Sequence, residues 1–188
     1  MELSSENMAN TRTILCLNSG SSSLKFALFS ISDFAEKKLA SGAVEDIGKD
    51  ARFWLRSADK LLLDKKDNLP DAHSCIGTIF QALDHSGLTR PAAAGHRVVH
   101  GGPLHTKPER VNPQLLEELK RLVPLAPLHL PAQIEIISAI ITHYPDLPQV
   151  ACFDTAFHAG MPEVTRRLPL PRELWDHGVR HYGFHGLS

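Results

Sequence analysis

The fold turns on the stretch Thr13-Ile14-Leu15-Cys16-Leu17-Asn18-Ser19-Gly20-Ser21-Ser22-Ser23-Leu24-Lys25-Phe26-Ala27-Leu28-Phe29. A short apolar run, Thr13 to Leu17, stops at a cluster of small polar residues. The apolar pattern then resumes with Leu24, Phe26 and Leu28 at alternate positions, on one face of a strand. Two strands joined by a tight small-residue turn make a β-hairpin whose turn carries many hydrogen-bond donors. Working outward, Lys38–Val44 and Arg52–Leu63 read as further strands, broken by Gly48, Asp50 and the Ser57–Asp59 stretch. An antiparallel meander is implied.

The period then changes from two to that of a helix. Asp71 is a plausible N-cap, Cys75, Ile76, Ile79, Phe80 and Leu83 share one stripe, and Gly87 lies just beyond the end. After Pro91, Ala92–Val99 reads as a strand. Asn112-Pro113 opens a second helix as cap followed by proline, with Leu115, Leu116, Leu119 and Leu122 facing inward. Pro131 starts a third, whose Ile134, Ile137, Ile140 and Ile141 form a buried face. Gln149–Phe153 is short and apolar, as expected of an interior strand. The order is roughly β-β-β, α, β, α-α, β, an α/β domain over residues 11–153. Residues 154–188 are rich in proline, glycine and histidine, and read as the start of a second domain or as a substrate loop.

Composition narrows the function. Of 188 residues, 43% are hydrophobic and 22% charged, enough apolar content for a packed core. A formal net charge of −1 gives no support to a nucleic-acid or membrane-surface partner recruited by bulk charge. No apolar run approaches the ~20 residues that span a bilayer. Residues 1–10 lack both a basic start and an apolar stretch, so a short disordered lead is expected instead of a secretory signal. Cys16, Cys75 and Cys152 are odd in number and each sits in an apolar run; buried free thiols in a reducing cytosol are expected.

Five stretches offer chemistry. Asn18 to Lys25 sets hydroxyls and backbone N–H groups around a bend, with one lysine on the outgoing strand. Such a bend can hold phosphate oxygens, and Asn18 offers an oxygen toward hydrated Mg²⁺. It is no Walker loop, lacking both the G-x-x-x-x-G-K-[ST] pattern and a following helix; taken alone it reads better as an ordinary serine-rich turn. Gly95-His96-Arg97-Val98-Val99-His100-Gly101-Gly102 ends a strand in glycines, a usual place for α/β ligand contacts. Arg97 can grip a carboxylate or phosphate two-pronged, and Val99 could wall a small apolar pocket; from this segment alone a surface ion pair is an equal reading. Leu125-Ala126-Pro127-Leu128-His129-Leu130-Pro131 leads into a helix. Phe153-Asp154-Thr155-Ala156-Phe157-His158 places an acid at a strand end, where an Asx turn would also suit it. His181-Tyr182-Gly183-Phe184-His185-Gly186 is the last. A zinc site is the rival explanation for eleven histidines, but the spacings of His96 and His100, and of His177, His181 and His185, share a face only on a helix, and nearby glycines oppose one.

These five motifs in this order resemble the acetate kinase family, over about Thr13 to Ser188. The resemblance implies a ribonuclease H-like domain of the actin, sugar kinase and heat-shock ATPase superfamily, a mixed β-sheet with flanking helices, followed by a second domain. It implies reversible Mg²⁺-dependent phosphoryl transfer from ATP to acetate, giving acetyl phosphate and ADP, in a cytoplasmic enzyme that is a homodimer when complete. Propionate or another short-chain carboxylate is the alternative acceptor, and a non-catalytic binding fragment the alternative class. By similarity, Asn18 would help bind Mg²⁺, while Lys25, Ser21 and Ser23 would face the nucleotide phosphates. Arg97 would hold the carboxylate, and Val99, Leu128 and Phe184 would form the methyl pocket. Asp154 would be the acidic active-site residue, His185 would stabilise the transferring phosphoryl, and His129 would lie close by. Because the chain stops at Ser188, inside the last motif, the expectation is an N-terminal portion that is inactive alone.

Overall fold

The computed structural model describes residues 11–58 and 60–187; the expected N-terminal lead lies outside them. The hairpin forms as read. Strands β1 (Arg12–Ser19) and β2 (Leu24–Ile31) pair antiparallel, with Asn18 opposite Lys25 and Ser19 opposite Leu24. The turn closes through the Gly20 N–H donating to the Ser23 carbonyl at 2.8 Å. The meander continues through β3 (Glu36–Glu45), β4 (Gly48–Ser57) and β5 (Lys60–Leu69). Helix α1 (Ala72–His85) follows, then β6 (Ala93–Val98), a two-residue β7 (Glu109–Arg110), helices α2 (Pro113–Leu122) and α3 (Leu130–His143), and β8 (Gln149–Phe153). The sheet order is β5-β4-β3-β2-β1-β6-β8-β7, with β1, β6 and β8 mutually parallel and the other pairs antiparallel. A mixed sheet with flanking helices is the expected class.

Local chemistry explains most boundaries. The Asp71 carboxylate accepts from the Ser74 N–H at 2.8 Å while the Ser74 hydroxyl lies 3.2 Å from the Asp71 N–H, a reciprocal cap on α1. The Asn112 side chain accepts from the Leu115 N–H at 2.8 Å, with Pro113 pre-set behind it. Helices α1 and α3 pack together against one face of the sheet, burying Leu15, Leu17, Phe53, Ile76, Ile79, Phe80, Ile136 and Ile140 in one cluster. Helix α2 closes a second cluster, in which Leu119, Leu130, Ile137 and Phe153 are buried. Burying each such side chain contributes roughly 1.5–3 kcal/mol.

Four expectations are corrected. Asp50 does not break a strand, because β4 runs from Gly48 through it. Strand β5 extends to Leu69 through Asp64-Lys65-Lys66-Asp67, an edge strand whose charges discourage a further strand from pairing. On α3, Ile136 is buried in place of Ile141, which is exposed. Cys75 is buried, but Cys16 is exposed and Cys152 only half-buried, because both stand on the sheet face opposite α1 and α3. There Cys16, Asn18, Lys25, Ala27, Gly95, Arg97 and Cys152 line an open cleft of about 420 Å³, with Leu187 across it. Among the described residues no helix is long and apolar enough to cross a membrane. After Thr155 no residue among those described is buried; helices α4 (Glu163–Arg166) and α5 (Arg172–Asp176) are single turns.

Candidate active site

The carboxyl ends of β1, β6 and β8 lie side by side because these strands are parallel neighbours. Their last residues therefore converge: Asn18 from β1, Arg97 from β6, and Asp154 in the 3₁₀ turn directly after β8. Asp154 is 1% exposed, and its charge is met by Arg97. Arg97 Nε donates to Asp154 Oδ1 at 3.0 Å and Oδ2 at 3.2 Å, and Nη2 donates to Oδ2 at 2.7 Å. This is the forked pairing that lysine cannot make. The hydrogen bonds that Arg97 donates to Asp154 raise its pKa beyond its already high value.

The rest of the guanidinium faces two other candidate residues. Nη1 lies 3.4 Å from Asn18 Oδ1, and Nη2 lies 3.3 Å from His185 Nδ1. An arginine can only donate, so His185 Nδ1 accepts, which places the imidazole proton on Nε2. Of five guanidinium hydrogens, one on Nη1 has no partner among the described residues. Asn18, Arg97, Asp154 and His185 thus form one constellation, in which Arg97 and His185 alone are 88 positions apart.

His185 arrives there by an unusual backbone. Its φ of 57° is left-handed, a region costly for a residue with a Cβ and held only where neighbours enforce it. They do so here through glycine. A Cβ on Gly183 would collide with the His158 ring, and one on Gly186 with the Asp154 carbonyl oxygen and Phe157. The His158 ring nitrogen Nε2 meets the Phe184 carbonyl at 3.0 Å and ties the segment down. The glycines of Tyr182–Gly186 let that segment press against Asp154–His158.

The other expected residues are spread around this centre. Lys25 is exposed and lines the cleft opposite Asn18, while Ser21 and Ser23 sit in the hairpin turn. Val99 is half-buried just past the end of β6. Leu128 is 78% and Phe184 51% exposed, so they close no apolar pocket with Val99 in this chain. His129 is exposed at the N-cap of α3. The histidines considered for zinc are engaged separately. His96 donates Nε2–H to Gln149 Oε1 at 2.7 Å, and His100 Nδ1 accepts from the Gly102 N–H at 2.8 Å. Burial pushes the His96 pKa down to about 4 and lowers that of His100.

Sequence reasoning missed several supports. Gln133 on α3, fully buried, accepts from the Val99 N–H at 3.1 Å, and its amide nitrogen lies 3.5 Å from the Ser19 carbonyl. It clasps the ends of β6 and β1. Thr155 Oγ1 accepts from the Gly101 N–H at 2.9 Å. His105 stacks on Phe153 and sets its two ring nitrogens 2.9 Å from Glu109 and 3.2 Å from Glu118. A polar residue on the apolar stripe of α3 was the available signal for Gln133; the other two carried none.

A profile of the acetokinase family matches residues 13–188. The chain belongs to the acetokinase family. It is 42% identical to an acetate kinase of a Sulfurovum species and 44% to one of Streptomyces griseus, each alignment covering 93% of this chain and 44% of the relative. The chain spans about half the length of the curated relatives it matches. Among solved structures, a propionate kinase of Francisella tularensis superposes with a TM-score of 0.84 at 38% identity, over 94% of this chain and 46% of that one. An acetate kinase of Porphyromonas gingivalis gives 0.84 at 33% identity, over 96% and 46%. Both carry the same mixed sheet with flanking helices, the actin-like ATPase fold expected from the motifs.

Proposed function

We propose that the Asn18–Arg97–Asp154–His185 constellation is one wall of a carboxylate kinase site, which transfers a phosphoryl group between ATP and acetate. The observation that carries this reading is the guanidinium of Arg97, anchored on one edge by buried Asp154 and open on the other beside Asn18. An anchored arginine with one free N–H edge is pre-set to hold a small carboxylate at fixed orientation. Acetate needs no base, since its oxygen is already a nucleophile. That oxygen attacks the γ-phosphorus, the bond to the β-γ bridging oxygen breaks, its electron pair leaves with ADP, and no proton moves. The main task is to cancel charge on the equatorial oxygens. His185 Nε2–H and Arg97 are the donors for that task, and Asp154 acts by holding Arg97.

Lys25 with the hydroxyls of Ser21 and Ser23 would face the nucleotide phosphates. Mg²⁺ takes oxygen ligands and usually keeps waters and substrate phosphates beside one or two protein groups. Asn18 Oδ1 fits that donor set as the protein's share, since both Asp154 oxygens are held by Arg97; no group of three or more His, Cys, Asp or Glu suited to a metal occurs among the described residues. When bound, the ion would neutralise phosphate charge.

Propionate is the second acceptor, favoured by the Francisella tularensis neighbour described as a propionate kinase. One methylene is worth only about 1–3 kcal/mol in an apolar pocket. Partners would be these small molecules, in a homodimeric cytoplasmic enzyme. With Leu128 and Phe184 open to solvent, the 188-residue chain alone would not exclude water from the transfer, and we propose that it is inactive alone. The test is acetate-dependent ADP release with Mg²⁺ and ATP, by this chain and by a family-length protein carrying it. The longer protein is expected to turn over and its Arg97→Ala variant to lose about 30- to 1,000-fold in kcat/KM for acetate, matching ~2–4 kcal/mol. Equal kcat/KM in that variant would overturn the assignment, and turnover by the short chain within about tenfold would overturn its inactivity.

A further inference from the structure

The histidine spacings visible in the sequence led to no metal site, but the packing of α1 on α3 brings together two histidines that are 70 positions apart. His73 stands in the first turn of α1 and His143 is the last residue of α3; both are exposed. Their facing nitrogens, His73 Nδ1 and His143 Nε2, are 3.3 Å apart, with rings 65° from coplanar and centroids 5.3 Å apart.

Two imidazole nitrogens that each bind one tetrahedral ion at about 2.0–2.1 Å lie roughly 3.3–3.4 Å from one another. The observed separation is that one. Both rings are exposed, so an ion could reach the pair from solvent and take the place of the proton that now links the two nitrogens. The electrostatic setting is mixed, because His73 lies at the positive amino end of α1. His143 sits at the carboxyl end of α3, where the helix dipole is negative.

We propose that His73 and His143 form a two-histidine site for a borderline divalent transition ion, zinc, nickel(II) or copper(II), completed by water. Imidazole suits these ions, whereas Mg²⁺ and Ca²⁺ prefer oxygen. A bound ion would staple the start of α1 to the end of α3, the two helices that cover one sheet face. This site is separate from the strand-end constellation and does not rest on the proposed activity.

The experiment uses the tag-free 188-residue chain, titrated calorimetrically with Zn²⁺, Ni²⁺ and Cu²⁺, with thermal unfolding followed in parallel. Expected are one saturable site and a Tm that rises with ion concentration. His73→Ala and His143→Ala should each weaken binding at least tenfold and abolish the Tm rise, whereas His85→Ala, on the same helix as His73, should change neither. Bound Cu²⁺ should show electron-spin coupling to two imidazole nitrogens, falling to one in either variant that retains any copper. Absence of saturable binding by all three ions, or binding unchanged in both His73→Ala and His143→Ala, would leave an ordinary hydrogen-bonded histidine pair and overturn the proposal.

Discussion

Asp154 holds the Arg97 guanidinium through three contacts of 2.7–3.2 Å, and the carboxylate is almost wholly buried while the guanidinium is only partly so. The asymmetry decides what each substitution does. Arg97→Ala leaves a buried carboxylate without its counter-charge and should destabilise the chain by about 2–4 kcal/mol. Asp154→Asn leaves a partly hydrated arginine and should cost less. The double variant should be more stable than the sum of the two losses predicts. Urea unfolding of the four proteins measures this cycle, and simple additivity would show that the pair is not coupled.

His185 gives a way to separate shape from chemistry. Its left-handed φ of 57° is one that asparagine tolerates better than most residues, so His185→Asn should fold with unchanged stability. It should also lose the Nε2–H that the proposed transfer assigns to the phosphoryl. In a family-length protein, kcat should fall roughly 10²–10³-fold, the usual effect of removing one charge-stabilising donor. Steady-state kinetics beside thermal unfolding would check both halves, and an active His185→Asn would remove His185 from the proposed transfer.

The close approach at Gly183 makes another expectation. A Cβ there meets the His158 ring, so Gly183→Ala must push the Tyr182–Gly186 segment away from Asp154–His158 or swing His158 out. Either way the His158 to Phe184 contact goes. Residues 160–187 should then be cut faster by a protease than in the parent chain, with the sheet intact by circular dichroism. An unchanged cleavage rate would show that the segment is not held by this contact.

The sequence reading went furthest where a residue's neighbours along the chain determine its place. The hairpin at Asn18–Lys25, the Asp71 and Asn112 caps and the apolar stripe of α1 are all local patterns, and they form as read. Strand β5 was only partly legible because its outer half is charged at consecutive positions, as an edge strand can be but an interior one cannot. The site itself was legible as residue types without geometry. Arg97 meets Asp154 from 57 positions away and Asn18 from 79, distances over which no spacing rule operates. Thr155 and His105 stayed hidden because a polar residue that serves a distant backbone N–H or a distant carboxylate looks, in sequence, like one that faces water.

The burial of His96 predicts how stability responds to acid. Its ring is buried between β6 and β8, its Nε2–H serves Gln149, and its pKa falls from 6.5 to about 4. The unfolded chain therefore binds a proton at this residue below about pH 6.5, while the native chain resists until about pH 4. The contribution is whole above pH 6.5 and shrinks as pH falls through that window, by about 1.4 kcal/mol per unit and roughly 3 kcal/mol in all. His96→Gln replaces the ring by a neutral amide, which lowers stability at pH 7 but cannot take up the proton. Subtracting the variant's stability curve from the parent's cancels the carboxylates that titrate in both. Urea midpoints between pH 7 and 4 should show a difference that narrows steadily as the solution is acidified. Parallel curves would mean that the native chain protonates His96 as readily as the unfolded one does.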